Sequence, residues 1–415
     1  MSASNLAAPL HLARPAAAGG RDSCPRPQQT DRLPPAQHLS TSLHFDEETM
    51  STASHQPATK PVAAPSTTGR TREGEQIKAV ADTLVHAYGL HPADITRIPE
   101  GTATDNYAVV DQAGRRHFAK VYRTREHLDL ERASVELSEY CADGSVATAR
   151  AIRTRELELI AAQAPLPMSL WSYVPHTETA EGGLRGARWT AVGTAMGRLH
   201  SRLSAHPAAA PTLEPGAAVC DVAASQDRFE RLIQAYQQKP QLGEFETWAL
   251  QAARERQAIL GDVERTLASL PQLTVQILQG DMAGPNVLLE NDGVAAIVDF
   301  RPPAPGYLAW EIARLGCDPK SVLDNSAESW LTGYTDLTLS YRDANPKASS
   351  DDLLFSLRVG CAAMLCSAFP LSVPVERPHI VDAALEAYGQ VRHEAALMLL
   401  DRLPVMEEAL RETLR

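Results

Sequence analysis

The sequence is poor in the features that mark secreted, membrane-spanning or zinc-binding proteins. Its six cysteines are scattered and show neither CxxC spacing nor neighbouring histidines, so we expect neither a disulfide framework nor a zinc site. No apolar run reaches the roughly eighteen residues of a membrane span. The longest candidate, Val359 to Leu371, is interrupted by Gly360 and Pro370 and is expected to be a core helix. The chain does not start with a charged and then apolar leader, and we therefore expect a cytoplasmic protein.

Positive charge is scarce as well. The chain has 39 Lys and Arg against 51 Asp and Glu, a formal net charge of -12 at pH 7. Nucleic acids and anionic membranes are bound through basic faces, so neither is expected as a partner. The acidic excess is compatible with a cationic small-molecule substrate and, more simply, with solubility.

Several catalytic motifs are missing, and each absence removes a class of enzyme. The sequence contains no G-x-x-x-x-G-K-[ST], which argues against a P-loop nucleotide site. It contains no H-E-x-x-H, which argues against a zinc hydrolase, and no G-x-S-x-G elbow of an α/β-hydrolase.

The first part of the chain lacks large apolar residues. Residues 1–72 are rich in Ala, Pro, Ser and Thr and show no sustained period, so they cannot bury enough surface to offset the entropy of ordering. We predict a disordered extension. Met50 opens a second such stretch and is a candidate translation start, which native peptides upstream of Met50 would contradict.

Short alternating segments follow this extension and predict a small sheet. Apolar residues from Ile77 to Tyr88 recur at helical spacing, and Gly89 is suited to end that helix. Lys120 shares a strand face with Phe118 and Tyr122, since side chains repeat every two residues, and a lysine on a covered face needs a counter-charge. Strands are predicted at 95–99, 107–111, 117–122, 149–153, 157–161 and 168–174, and a helix at 126–142.

The most informative stretch is QGDMAGPNVLLENDGVAAIVDF, residues 279–300. Strand-like runs lead into Asp281 and Asp299, and another opens on Asn286. A carboxylate such as Asp281 can orient a substrate hydroxyl, whereas Asn286 and Asp299 offer the hard oxygen ligands that magnesium prefers. The spacing is that of the catalytic loop and metal-binding turn in kinase-type phosphoryl transfer.

This stretch resembles the catalytic-loop motif of the aminoglycoside phosphotransferase family and its choline kinase-like relatives, H-G-D-x-x-x-x-N followed by I-D-F. It departs from that motif at two positions. Gln279 stands where the family has His, which changes the hydrogen bonds that hold the loop. Arg301 follows Asp299 and Phe300, where a small residue is more common.

The resemblance implies an α+β, two-lobed protein-kinase-like fold, with a small antiparallel sheet in the N-lobe and a mostly helical C-lobe. We assign the N-lobe to residues 73–170 and the C-lobe to residues 171–415, after the extension 1–72. Helices at 226–270 lie where the family places its substrate-recognition helices, after a Pro- and Ala-rich linker at 206–218.

The resemblance also assigns roles in the catalytic stretch and around it. Asp281 is expected to be the catalytic residue, and Asn286 and Asp299 the magnesium ligands. Glu311 is expected to anchor the metal loop from behind, and His200 to have a structural role.

The remaining assignments concern the nucleotide. Lys120 resembles the strand lysine that pairs with the α- and β-phosphates, with Glu131 as its helix partner and Glu136 as the runner-up. The loop before the second strand would cradle the phosphates. The hinge after the last strand would present its backbone to the adenine. The residues assigned to these two segments are Thr102 and Thr104 in the loop and Ser172 and Val174 in the hinge.

The function implied is ATP-dependent, magnesium-assisted transfer of a phosphoryl group to a hydroxyl of a small molecule, such as an aminoglycoside-like antibiotic or an amino alcohol. The alternative is a catalytically weak or inactive nucleotide-binding protein of the same fold, motivated by Gln279 and Arg301. A protein kinase is disfavoured, because no HRD or Ala-Pro-Glu motif accompanies Asp299.

Overall fold

The computed structural model of the protein describes residues 67–98 and 104–415. The expectations for Met50 and Thr102 lie outside the described residues. The first helix, α1 (Thr67–Thr83), begins before the end of the segment 1–72 that the sequence predicts to be disordered. It continues into one π-helical turn, Leu84–Tyr88, and ends at Gly89, whose φ of 64° favours glycine.

The N-lobe is built on a five-stranded antiparallel sheet with the order β1-β2-β3-β5-β4. The predicted first three strands and the helix predicted at 126–142 are all present, and Leu137 and Cys141 of that helix belong to the largest core of the protein. One face of the sheet carries Tyr107, Val109, Ala119 and Val121, which form a core with Val80 of α1. The elements are β1 (Pro92–Ile98), β2 (Thr104–Asp111), β3 (Arg116–Tyr122), α2 (Leu128–Asp143), β4 (Ala151–Ile152) and β5 (Met168–Ser172).

The strand predicted at 157–161 is wrong. The backbone there forms a closed turn, since the N–H of Thr154 donates to the carbonyl of Glu158 at 2.8 Å and the N–H of Glu158 donates back to the Thr154 hydroxyl at 3.1 Å. Leu157 takes a left-handed φ of 67° and is exposed. Because these groups bond to one another, they are not available to a neighbouring strand.

The C-lobe is mostly helical and contains the largest core. Its α3 and α8 lie in close contact along Gly193 and Gly197, where an added Cβ would come within 2.2 Å of the Leu337 carbonyl and 2.6 Å of the Tyr341 carbonyl. The helices are α3 (Arg188–Leu203), α4 (Val222–Gln238), α5 (Glu244–Ala268), α6 (Leu308–Gly316), α7 (Pro319–Leu323), α8 (Ala327–Ala344), α9 (Ser350–Leu354), α10 (Ser356–Cys366), α11 (Val373–Glu376) and α12 (Ala383–Leu414).

Two small antiparallel sheets support the catalytic stretch. Their orders are β10-β9-β6 and β11-β8-β7. The linker expected at 206–218 contains one of these strands, because Leu213 pairs with Thr274. The strands are β6 (Glu178–Thr179), β7 (Thr212–Pro215), β8 (Gln272–Ile277), β9 (Val287–Glu290), β10 (Gly293–Ile297) and β11 (Pro305–Tyr307).

The protein therefore has the two-lobed, protein-kinase-like α+β architecture that the sequence predicts. The lobe boundary at 170 stays a prediction, and it falls within β5. Across residues 67–98 and 104–415, no helix combines the length and the apolar character needed to cross a bilayer.

Candidate active site

The catalytic stretch forms two loops that lie side by side. The first leaves β8, passes through Asp281 and ends in a short helical turn, Gly284–Asn286, from which β9 starts. The second leaves β10 and contains Asp299. The side-chain amide of Asn286 donates to the Asp281 carbonyl at 2.8 Å, and the N–H of Val298 donates to the Asn286 carbonyl at 2.9 Å. Asn286 thus joins the two loops, with its side-chain oxygen as the remaining acceptor.

Gln279 is the main connection between the loops. It is fully buried, and its Oε1 accepts from the N–H of Asp281 at 2.7 Å. Its Nε2 donates to the carbonyls of Val298 and Asp299, at 2.9 and 2.8 Å. In return, the Gln279 carbonyl accepts from the N–H of Arg301 at 2.9 Å. The side-chain amide of glutamine has one acceptor oxygen and two N–H donors, and all three form hydrogen bonds in this site.

Glu311, on α6, holds the catalytic loop from behind. Its Oε2 accepts from the N–H of Gln279 at 3.0 Å, and its Oε1 accepts from the N–H of Gly280 at 2.7 Å. The sequence-based expectation placed Glu311 behind the metal loop, whereas its direct contacts are with the catalytic loop. Gln279 links it to the metal-binding turn through the carbonyls of Val298 and Asp299. A buried carboxylate that accepts two backbone N–H groups fixes their positions firmly.

His200 and Tyr341 complete this support. The Nε2 of His200 lies 2.8 Å from Oε2 of Glu311, and its Nδ1 lies 2.9 Å from the hydroxyl of Tyr341. Both ring nitrogens are therefore used, and the residue is fully buried. His200 has structural contacts in this protein, in line with the sequence-based expectation.

Gly280 allows the two loops to approach. Its φ is 90°, in the region that favours glycine. An added Cβ would lie 2.7 Å from Cβ of Arg301, closer than such atoms come in real structures. The loop geometry therefore requires glycine next to Asp281.

Asp299 adopts an unusual backbone conformation and pairs with the strand lysine. Its φ is 56°, which is rare for a residue with a side chain and is often found at functional sites. Its Oδ1 accepts from Nζ of Lys120 at 2.7 Å, with 41% of the Asp299 side chain and 22% of the Lys120 side chain exposed. Two residues far apart in the sequence are thus brought together across the lobes.

The pair shifts the pKa of both partners. For Asp299, withdrawal from bulk water raises the pKa, but the charges of Lys120 and Arg301 outweigh this and hold the pKa below its usual value. For Lys120, burial lowers the pKa, but Asp299 and the more distant Glu131 raise it above its usual value. Both side chains are charged at neutral pH.

Sequence reasoning missed two arginines that bind Asp281. Only 2% of the Asp281 side chain is exposed; its Oδ1 accepts from Nη2 of Arg314 at 2.5 Å, and its Oδ2 accepts from Nη2 of Arg301 at 3.1 Å. The sequence marks Arg301 only as a departure from the motif. Arg314 lies one helical turn after Glu311 on α6, so both side chains are on the side of the helix that faces the catalytic loop. The sequence gives the spacing of the two residues but not the position of the loop.

The donor set fits a magnesium ion. Asp299 offers a charged oxygen, and Asn286 offers its neutral Oδ1, and both are hard ligands. Magnesium in phosphoryl-transfer sites keeps several waters and binds one or two protein oxygens together with substrate phosphates, so two protein ligands suffice. In the described parts of the chain, no group of three or more His, Cys, Asp or Glu forms a complete metal cage.

Among the glutamates of α2, Glu131 is the one whose charge acts on Lys120. Its charge raises the pKa of Lys120, although the hydrogen bond of Lys120 goes to Asp299. Glu136 is exposed. Glu139 binds elsewhere, because its Oε1 accepts from the N–H of Ala151 at 2.8 Å. The pairing of Lys120 with Glu131 stays a prediction.

The other predicted nucleotide ligands make local contacts. Thr104 is buried at the start of β2, and its hydroxyl donates to Asn106 at 3.1 Å. Asn106 lies opposite Lys120 in the sheet, so Thr104, Asn106 and Lys120 share one face. The hydroxyl of Ser172 accepts from the N–H of Arg150 at 3.0 Å, and the Val174 carbonyl lies 2.9 Å from Nδ1 of His176. Their role toward a nucleotide stays a prediction.

Known proteins share this architecture. In the comparison with solved structures, a spectinomycin phosphotransferase in complex with ADP and spectinomycin has a TM-score of 0.54 at 11% identity, covering 78% of this chain and 98% of that chain. The AMP-bound complex of spectinomycin phosphotransferase has a TM-score of 0.52 at 11% identity, covering 77% and 98%. These similarities show the fold. No curated protein matches the chain.

The family assignment rests on the sequence itself. The model of the phosphotransferase enzyme family (APH) matches residues 94–344. That range starts in β1, includes Lys120 and the whole catalytic stretch, and ends with α8. It covers more than half of the chain, and the resemblance read from the motif is confirmed. The protein belongs to the phosphotransferase enzyme family.

Proposed function

We propose that this protein transfers the γ-phosphoryl group of ATP, with magnesium, to a hydroxyl of a small molecule. The observation that carries the proposal is the 2.7 Å pair between Lys120 and Asp299, next to Asp281 and Asn286. It brings a phosphate-binding cation, metal-binding oxygens and a hydroxyl-binding carboxylate to one place. Phosphoryl transfer needs positioning and charge neutralisation more than covalent chemistry from the protein, so these few side chains suffice.

Each residue has a defined part in the proposal. Lys120 binds the phosphates of the nucleotide, and Asn286 and Asp299 hold the magnesium ion. The ion, when bound, neutralises charge on the phosphates. Asp281 accepts a hydrogen bond from the acceptor hydroxyl and orients its oxygen for attack. Gln279 and Glu311 hold the catalytic loop and the metal-binding turn in their relative positions.

The nature of the nucleotide and the acceptor is also part of the proposal. The structurally similar spectinomycin phosphotransferase was seen with ADP and with spectinomycin, which supports a nucleotide and a small-molecule acceptor here. An aminoglycoside-like antibiotic or an amino alcohol would fit the family. The expectation of a cationic acceptor rests only on the net charge of -12. We place the reaction in the cytoplasm, because Cys141, Cys220, Cys317, Cys361 and Cys366 are free thiols.

The direct test is Asp281→Asn. This change keeps the shape of the side chain and removes its charge, so turnover with an accepted hydroxyl compound should fall by roughly two to four orders of magnitude. Nucleotide affinity, measured by calorimetry, should change little, because Lys120, Asn286 and Asp299 are untouched. Arg265→Gln is the control, since Arg265 is an exposed arginine on α5. Unchanged turnover in the Asp281 variant would remove Asp281 from the mechanism.

One observation favours the alternative, a nucleotide-binding protein with little or no turnover. Only 2% of the Asp281 side chain is exposed and each of its carboxylate oxygens accepts a hydrogen bond from an arginine, so an acceptor hydroxyl has little access to the carboxylate. Gln279, in contrast, no longer supports this alternative, because it makes a complete set of loop contacts. Calorimetric binding of ATP without ATP consumption across a library of hydroxyl compounds would favour the alternative.

A further inference from the structure

The helix that carries Glu131 near its start is joined to the C-lobe at its other end. There the Tyr140 carbonyl accepts from Nε of Arg202 at 3.0 Å, and the Tyr140 hydroxyl donates to the Arg202 carbonyl at 3.3 Å. The guanidinium carbon of Arg202 also lies 3.6 Å from the centre of the Tyr140 ring, a cation–π contact. Because Arg202 belongs to α3, these contacts join α2 to the C-lobe.

Gly144 leaves the space that the Arg202 side chain occupies. It follows α2 directly, with a φ of -86° and a ψ of 13°, a conformation that residues with a side chain can adopt. An added Cβ would lie 2.5 Å from both Cδ and Nε of Arg202, closer than such atoms come in real structures. Position 144 therefore needs glycine for the contact with Arg202 and not for its backbone conformation.

Two further hydrogen bonds hold the same end of α2, one toward each lobe. The N–H of Ile297, the last residue of β10, donates to the Ala147 carbonyl at 2.9 Å. On the other side, Oε1 of Glu139 accepts from the N–H of Ala151 in β4 at 2.8 Å. The end of α2 thus bridges the edge of the N-lobe sheet and the strand that leads into the metal-binding turn.

The position of Glu131 depends on how firmly this end is held. Glu131 precedes Tyr140 by nine residues, which is about 13 Å along a helix that rises about 1.5 Å per residue. A tilt of about 10° at the Arg202 contact would move Glu131 by about 2 Å. The charge of Glu131 acts on Lys120, and the interaction between two charges weakens with distance. Contacts at the end of α2 therefore affect the lysine of the nucleotide site.

We propose that Arg202 is a positioning residue for nucleotide binding, which holds α2 so that Glu131 lies beside Lys120 and aligns it with the phosphates. This rests on the proposed function and on the predicted pairing of Lys120 with Glu131. Arg202 acts through Glu131 and not by contact with the nucleotide. The bonds of Glu139 and Ala147 remain when Arg202 is removed, so the loss should be partial.

The test is a double-mutant cycle on the full chain, in which calorimetry measures the affinity for ADP with magnesium. Arg202→Gln should lower this affinity by roughly 3- to 10-fold. In the Glu131→Gln background it should lower the affinity by less than about 2-fold, because the position of α2 matters less once the carboxylate is gone. Arg198→Gln is the matched control and should bind ADP like the wild type, since Arg198 is an exposed arginine one turn earlier on α3.

Gly144→Ala displaces Arg202 without removing its charge. The added Cβ should push the side chain away from Tyr140, so ADP affinity should fall about as far as in Arg202→Gln. Combining Gly144→Ala with Arg202→Gln should cause no further loss. Gly144→Ala also provides the second variant if Arg202→Gln is unstable, and urea unfolding shows which proteins are folded.

The outcomes separate this proposal from the proposed function. Wild-type affinity in the folded Arg202 or Gly144 variant, or an equal loss with and without the Glu131 carboxylate, would overturn the positioning role and leave phosphoryl transfer intact. The expected coupling between Arg202 and Glu131, without transfer of phosphate to any acceptor, would support the positioning role and refute the proposed function. A wild type that does not bind ADP would refute both.

Discussion

Gln279→Ala should separate the two loops of the site, and the structure gives the magnitude. The substitution removes three hydrogen bonds, of 2.7, 2.9 and 2.8 Å, to the N–H of Asp281 and the carbonyls of Val298 and Asp299. Gln279 is fully buried, so water does not readily replace these bonds. At about 1 kcal/mol each, the free energy of unfolding should fall by about 2–4 kcal/mol, and more if the orphaned groups stay dry.

Gln279→His tests whether the residue marks a retired enzyme. Neutral histidine has one donor and one acceptor, so it can keep the bond from Asp281 and one of the two carbonyl bonds. The cost should be about 1 kcal/mol, and turnover should change by less than about 10-fold. A rise in turnover by orders of magnitude would instead show that Gln279 suppresses activity.

The loss of stability in Gln279→Ala is measured by urea unfolding, with the denaturation midpoint and the m-value fitted separately. Gln251→Ala is the matched control, because Gln251 is exposed on α5 and its side-chain amide donates to Glu255 of the same helix at 2.9 Å. It should cost less than about 0.5 kcal/mol. A Gln279→Ala protein as stable as the control would refute the role assigned to Gln279.

Two further predictions concern Lys120 and Asp318. Lys120→Met removes the charge that pairs with Asp299, and nucleotide affinity measured by fluorescence titration should fall by roughly 10- to 100-fold; wild-type affinity would contradict the phosphate role. For Asp318, burial raises the pKa from 3.8 to about 6, although hydrogen bonds from the backbone N–H groups of Lys320 and Ser321 oppose the rise. The folded state thus binds this proton more tightly than the unfolded state, so stability should fall as the pH rises from about 4 to about 6, by at most about 3 kcal/mol. In Asp318→Asn, the free energy of unfolding, measured by urea denaturation at several pH values, should lack this dependence on pH. The same pH dependence in both proteins would contradict the role of Asp318.

Much of the fold was accessible from local patterns. The alternation around Tyr107 and Val109 and around Ala119 and Val121 predicted β2 and β3, because one face of each strand is buried. The failure at Leu157 has a local cause, since an apolar residue with a left-handed φ lies in an exposed turn, and composition does not encode that conformation. The strand in the linker was missed because its partner, β8, lies far along the chain.

The site was predictable in its parts but not in its contacts. Asp281, Asn286 and Asp299 could be named from spacing, because the loop that carries them is continuous in sequence. The pair of Lys120 with Asp299 depends on how the lobes meet, which no local pattern specifies. The approach of Arg314 to Asp281 likewise depends on how α6 packs behind the loop.

We propose that the protein transfers a phosphoryl group from ATP to a small-molecule hydroxyl at the site formed by Asp281, Asn286, Asp299 and Lys120. The most direct measurement is ³¹P NMR of a reaction with ATP, magnesium and a library of hydroxyl compounds that includes acids, amides and amines. The wild type should give a new phosphate-ester resonance, and Asp281→Asn should lose it. ATP that binds but yields no ester with any acceptor, or an ester that forms equally well with Asp281→Asn, would contradict it.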